Sequence, residues 1–131
     1  MANEGVGHQT SREAVADLSS AQYRYVVASS TKDFGVKLPS TANNQRPVGI
    51  LQNDPISGGE ATVQIDGISK LAFKGSTLSR GDFFTMTTGG LGTAPSTEFG
   101  VLGQIISGTS GTTGRILTVQ MQPTGTTAVN P

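Results

Sequence analysis

The feature that most constrains this chain is a β phrase that it carries twice. Pro47–Phe73 reads PVGILQNDPISGGEATVQIDGISKLAF, and its wording partly returns in EFGVLGQIISGTSGTTGRILTVQM, Glu98–Met121. Both copies hold a glycine between apolar residues (Val48-Gly49-Ile50 and Phe99-Gly100-Val101) and then a glutamine (Gln52, Gln104). A glycine-rich loop and Thr-Val-Gln follow in each, at 62–64 and 118–120. Short β-prone runs split by turn residues predict strands, and neither copy contains a catalytic constellation. Such a chain reads as a scaffold, so the question becomes what surface it holds.

The same grammar extends to both sides. Tyr23–Ala28 is rich in β formers, and Phe34–Leu38 alternates apolar and polar residues. Val48–Gln52, Ala61–Ile65 and Ile68–Phe73 follow, with Asp66-Gly67 predicting a two-residue hairpin between the last two. After a turn at Leu78–Asp82 come Phe83–Thr87, a Gly89-Gly90 turn, Phe99–Ile106 and Arg115–Gln122. About eight or nine short strands at this spacing predict an all-β domain, a small β-barrel or β-sandwich over residues 22–122. Residues 1–21 read as an N-terminal arm, extended or short-helical. Thr10 and Glu13 fit a capping box, and Ala14, Val15, Leu18 and Ala21 would share one helical face. Residues 123–131 read as a flexible tail rich in Thr, Pro and Gly.

Composition sharpens the scaffold reading. Aromatics are 5% of the chain, tryptophan is absent, and 18 glycines contribute almost no buried side chain. So lean a core predicts that subunit contacts supply part of the stability. Zero net charge with only 14% charged residues argues against nucleic acid, whose phosphates call for a basic face. No apolar run approaches the roughly 18 residues of a membrane span, and the polar first twenty residues lack the core of a secretory signal. A soluble protein is expected, without a membrane partner. The chain has no cysteine, which removes disulfides and thiolate metal sites.

Candidate chemistry is sparse. Ser29-Ser30-Thr31-Lys32 has Ser-x-x-Lys spacing but lies between strands, where no helix brings Lys beside Ser, and the companion elements are absent. Gly108–Arg115 is glycine-rich, yet lacks Walker spacing and runs into a strand instead of a helix. His8 is the sole histidine. The carboxylates Asp54, Glu60, Asp66 and Asp82 fall at turns, where Asp accepts local backbone hydrogen bonds, although Glu60 and Asp82 would be a pair if they met across a barrel mouth. No enzyme activity, cofactor or metal is expected. Of Phe83 and Phe84, alternation sends one ring into the core and the other outward. Tyr23 and Tyr25 share a face opposite Arg24, and exposed Tyr and Arg suit interfaces. Arg12, Val15, Leu18, Tyr23, Arg24, Tyr25, Phe83 and Phe84 are therefore the candidate contact residues.

Taken in order, Val48–Asn53, Gly59–Val63 leading to Asp66-Gly67, the Leu78-Ser79-x-Gly81-Asp82 turn and Phe99–Leu102 resemble the short capsid cement, or decoration, proteins of tailed bacteriophages. The resemblance covers roughly Gln22–Gln122 and includes no catalytic signature. It implies a β-rich homotrimer on the outer surface of the virion head, bound to the major capsid protein at three-fold or quasi-three-fold sites and stabilising the expanded shell against DNA pressure. An arm that orders on the shell and a sheet edge that pairs with a capsid strand are the contact modes expected of it. A carbohydrate- or cell-surface-binding module, a head fibre or a tail component is the alternative.

Overall fold

The computed structural model describes residues 7–40, 47–75, 77–95 and 101–121. Among these residues ten strands form, β1 (Gln9–Ala14), β2 (Tyr25–Ala28), β3 (Gly35–Lys37), β4 (Pro47–Leu51), β5 (Glu60–Gln64), β6 (Gly67–Phe73), β7 (Phe83–Met86), β8 (Gly92–Thr93), β9 (Gly103–Ser107) and β10 (Arg115–Met121). They close into two five-stranded barrels, in the order β1-β3-β2-β4-β5 and β10-β6-β8-β7-β9. The fold is all-β, as expected, but the barrel is built twice.

The two barrels repeat each other strand for strand. In each, the first strand runs parallel to the third and antiparallel to the fifth, while the second pairs with the third and fourth. The register repeats too. Gln9 faces Gln64 and Thr10 faces Val63 in the first barrel, and Ile68 faces Gln120 and Ser69 faces Val119 in the second. Gly58 and Gly114, both at positive φ, donate their N–H groups to Ala14 and Phe73 at 2.7 Å. Thr62-Val63-Gln64 and Thr118-Val119-Gln120 therefore occupy matching places on β5 and β10. The sequence pairing of Gly49 with Gly100 needs correction, however. Gly100 lies outside the described residues, and Gly103 holds the matching position. A Cβ at Gly49 would collide with the Gln64 carbonyl, and one at Gly103 with the Gln120 carbonyl, because the strands approach closely at both points.

The interiors differ in size and compensate locally. The first barrel is filled by Ala14, Leu18, Ala21, Val26, Val36, Leu51, Ala61 and Val63, with no aromatic ring. The second holds Phe73, Phe84, Met86, Leu71, Ile105, Leu117 and Val119. Where Ala14 sits beside Val36, the second barrel places Phe73 beside Gly92. A Cβ on Gly92 would come within 2.6 Å of the Phe73 ring, so the large residue has moved to the neighbouring strand.

Three local expectations are corrected. The short helix over 10–21 does not form. Gln9–Ala14 makes a ladder with β5, and this outweighs a helix too short to be stable by itself. Ala14, Leu18 and Ala21 still meet in the core, along an irregular path in which Leu18 donates to the Pro55 carbonyl. Asp66-Gly67 is no hairpin turn either. It is the crossover between barrels, since β5 pairs with β1 and β4 while β6 pairs with β8 and β10. The Asp66 carboxylate accepts from the His8 N–H at 2.7 Å and lies 2.9 Å from His8 Nδ1, while buried Gln64 donates Nε2 to the carbonyls of Asp66 and Ile68. Finally, β8 is a strand that the Gly89-Gly90 turn signal concealed.

The barrels join by insertion. Tyr23, at φ 68, turns its carbonyl toward the second barrel and accepts from the Ala72 N–H at 2.8 Å, while the Tyr25 N–H donates to the Gly90 carbonyl at 2.9 Å. The segment therefore lies between β6 and the turn before β8, whose direct pairing is limited to Phe73 with Gly92. Tyr25 is 1% exposed, and its ring stands 6.3 Å from that of Phe84 inside the second barrel. Val27 and Ile50 join the same cluster. Burial pushes the Tyr25 phenol far above its ordinary range, so it remains neutral at any working pH.

The compensation between Phe73 and Gly92 predicts a measurable coupling. Phe73→Ala should cost about 3–5 kcal/mol and Gly92→Val about 1–3 kcal/mol, but the double variant should recover at least about 1 kcal/mol relative to their sum in urea unfolding. The His8 hydrogen bonds hold the Asp66 carboxylate below its usual 3.8. A lowered folded pKa means that the clamp is fully present above pH 3.8 and is lost as pH falls through the folded value. An NMR titration should find Asp66 titrating below 3.8, with His8 amide protection falling in step.

Candidate docking surface

Glu60, Asp66, Asp82 and the Ser29–Lys32 and Gly108–Arg115 stretches, singled out by sequence, are tied to structural partners. Among the described residues, no three His, Cys, Asp or Glu side chains come together. The Ser29 N–H bonds the Gly35 carbonyl, and Lys32 Nζ lies 3.1 Å from Glu13 Oε2, so Ser29–Lys32 is a tied turn. Glu60 accepts from Ser11 Oγ at 2.8 Å in the first barrel, whereas Asp82 accepts from the Ser79 N–H at 3.0 Å in the second. They serve different barrels. The loop between β9 and β10 is also occupied. Ser110 bonds the backbone of Leu78, Thr109 bridges to Ser79, and Arg115 Nη1 donates to the Thr109 carbonyl.

The surface chemistry lies elsewhere, on the outer face of β7, β9 and β10. Phe83 faces Gln104, and Gln104 faces Gln120. Thr118 and Ile116 continue that face along β10, and Ile106 stands out at the bulge opposite Thr118 and Val119. Phe83, Ile106 and Ile116 are 50%, 40% and 46% exposed. The face carries large apolar groups among neutral amides and a hydroxyl, without a charge in that row. Isolated exposed apolar residues are ordinary, but three on one sheet face make it the candidate docking surface.

Register gives this face a meaning. The matching row of the first barrel is Tyr25, Ile50 and Gln64, all buried against the second barrel. Even the turn before the row repeats. The Tyr23 N–H donates to Leu51 and the Gly81 N–H to Ile105, and Arg24 and Asp82 likewise donate to Ala21 and Ser79. Tyr23 and Gly81 both have positive φ. Phe83 is thus the counterpart of Tyr25, but half exposed where Tyr25 is covered among the described residues.

The candidate contact residues divide into three groups. Leu18, Tyr25 and Phe84 are buried, so the contacts they make lie within the chain. Val15, Tyr23 and Arg24 are half-buried: Val15 donates its N–H to Val36, Tyr23 lies beneath Lys70 at 5.8 Å, and Arg24 Nη1 reaches the Gly89 carbonyl at 3.5 Å. Arg12, on β1, sits 6.0 Å from the Phe34 ring. Phe83 points outward and Phe84 inward, as strand alternation requires. Sequence reading missed Phe34, Ile56, Ile106 and Ile116, the other exposed large apolar residues among those described. Phe34 carried one overlooked signal, an aromatic followed by glycine in a tight turn; its φ is 58, a conformation that costs a bulky residue on the order of 1 kcal/mol.

No family model and no curated protein sequence matches the chain. In fold it is similar to the N base of head fiber gp8.5 in bacteriophage phi29, with a TM-score of 0.64 and 17% identity over 89% of this chain and 95% of that one. At that identity the likeness is one of fold.

The matched rows predict opposite sensitivities. Tyr25→Ala should destabilise the protein by about 3–5 kcal/mol, because it removes a ring buried between barrels. Phe83→Ala, at the counterpart position, should change stability by less than about 1 kcal/mol. Urea unfolding of both variants checks this, and equal losses would mean that the Phe83 ring is covered within the chain.

Proposed function

We propose that this chain is a non-enzymatic component of a tailed-phage virion, seated on the outside of the head and acting as a decoration, or cement, protein. Its partners on this reading are the major capsid protein and further copies of itself, as a homotrimer. The observation that carries the reading is a fold shared with a phage head fibre base, combined with an exposed apolar face on β7, β9 and β10. A head-fibre base is the second reading, favoured by the same likeness. It differs in whether a further fibre is carried, not in attachment to the head.

The structure changes the expected mode of attachment. Both barrels are closed, so a long sheet edge that would accept a capsid strand is not available among the described strands. Residues 9–14 belong to the first barrel and Leu18 to its core, so shell binding does not require them as a loose arm. Side-chain contact through Phe83, Ile106 and Ile116 is the mode the geometry supports. Several copies on one lattice gain from effective concentration, and a preference for the expanded shell stabilises that state by the difference in affinity.

Purified protein mixed with expanded and unexpanded heads tests this. Co-sedimentation with expanded heads, and added density at their three-fold or quasi-three-fold positions, are expected. Phe83→Ser with Ile116→Ser should reduce occupancy about ten-fold or more while the fold is retained. Equal binding to heads by this variant, or no binding of the parent protein, would refute the proposed role of this face.

A further inference from the structure

The repeat contains two sockets, and only one is filled. In the second barrel the socket lies between Ala72 and Gly90, where Tyr23–Tyr25 enters. Register places Glu13 where the second barrel has Ala72. The β2–β3 turn places Phe34 where the second barrel has Gly90: each precedes the residue whose carbonyl accepts from the start of the turn, Gly35 from Ser29 and Leu91 from Thr87. Both Phe34 and Gly90 have positive φ. In the first barrel the socket is shut, since the Glu13 N–H donates directly to the Phe34 carbonyl at 2.9 Å. Lys32 and Glu13 pair across the same opening, and Arg12 lies against the Phe34 ring.

The side chain at position 34 decides the matter. A Cβ at Gly90 would collide with the carbonyl oxygen of the inserted Tyr25. Phe34 carries a Cβ at the matching place and adopts a backbone conformation in which glycine would be less strained. Meanwhile the second barrel presents the matching segment, Gly81–Phe83, with the Phe83 ring half exposed and the Gly81 carbonyl, which accepts from Gln104 Nε2 at 2.9 Å, keeping a second lone pair. Without the obstruction, the insert of one copy would enter the first barrel of the next. Such a head-to-tail contact is heterologous and propagates as rings or filaments.

We propose that the first barrel holds a latent docking site for a second copy of this chain, receiving its Gly81–Phe83 segment, and that Phe34 keeps the site closed. Opening it exchanges the Glu13–Phe34 hydrogen bond for two intermolecular ones, from Glu13 N–H to the Gly81 carbonyl and from Phe83 N–H to the residue 34 carbonyl. The internal junction between barrels supplies the pattern for both. The closure leaves the Phe83 face open for other partners, and the proposal does not depend on attachment to a virus shell.

Sedimentation velocity across a concentration series tests it. Phe34→Gly, which suits the positive φ, should fold and should raise the self-association constant at least about ten-fold over the parent protein, the equivalent of roughly one net hydrogen bond. Phe34→Asn tolerates the same φ but retains a Cβ, and should associate no more than the parent. Adding Phe83→Ser to Phe34→Gly should abolish the gain. Unchanged association of Phe34→Gly would overturn the proposal. So would a similar gain in Phe34→Asn, or a gain that survives Phe83→Ser. None of these readings uses virus heads, so a failure here is separate from a failure to bind them.

Discussion

The insertion of Tyr23–Tyr25 between β6 and the turn before β8 is the contact on which the rest of the architecture depends. Two small barrels, one of them without an aromatic ring inside, have little apolar surface to bury separately. The insertion merges part of the first barrel's outer face with the second barrel's core through Tyr25, Val27 and Ile50. It also satisfies the Ala72 N–H and the Gly90 carbonyl at the point where the second barrel's wall is parted. Backbone pairing and aromatic burial act together here. A purely apolar contact would have left those groups in need of other partners.

The same device explains why a repeated sequence does not give two equivalent domains. The matching rows Tyr25-Ile50-Gln64 and Phe83-Gln104-Gln120 share backbone register, but only the first is covered. Burial accordingly favours Ile50 where the open row has Gln104. At the sockets the difference runs the other way. Gly90 admits a backbone, whereas the Phe34 carbonyl accepts directly from Glu13 across the matching gap. A tandem pair with both an unused insert and an open socket would extend from chain to chain. In the proposed scheme, the closed socket keeps one copy from extending into the next, much as capping repeats end a solenoid.

Much of the strand pattern was legible because short apolar runs and turn residues are local signals. Val48–Leu51, Ala61–Gln64, Ile68–Phe73 and Phe83–Met86 declared themselves this way, as did the outward and inward rings of Phe83 and Phe84. The failures share a cause, since each was decided by a distant partner. Gln9–Ala14 is polar and short, and only the β5 ladder makes it a strand. Asp66-Gly67 has hairpin chemistry, but the flanking strands find better partners in different barrels. The repeat was visible in Thr-Val-Gln, whereas its register was not, because the matching glycine is fixed by a close approach to a carbonyl on another strand.

The candidate surface was only half visible for a related reason. Tyr23 and Tyr25 have the composition of an interface, and they do form one, but between two parts of the same chain. Composition cannot distinguish an internal junction from an external one, because both demand the same amphipathic side chains. Internal symmetry supplies the missing information here. Once Tyr25 is matched with Phe83, the covered residue identifies what kind of contact the face is shaped to make, and the exposed one identifies where that contact is still available. Among the described residues, Phe83, Ile106 and Ile116 are exposed where the first barrel's row is covered.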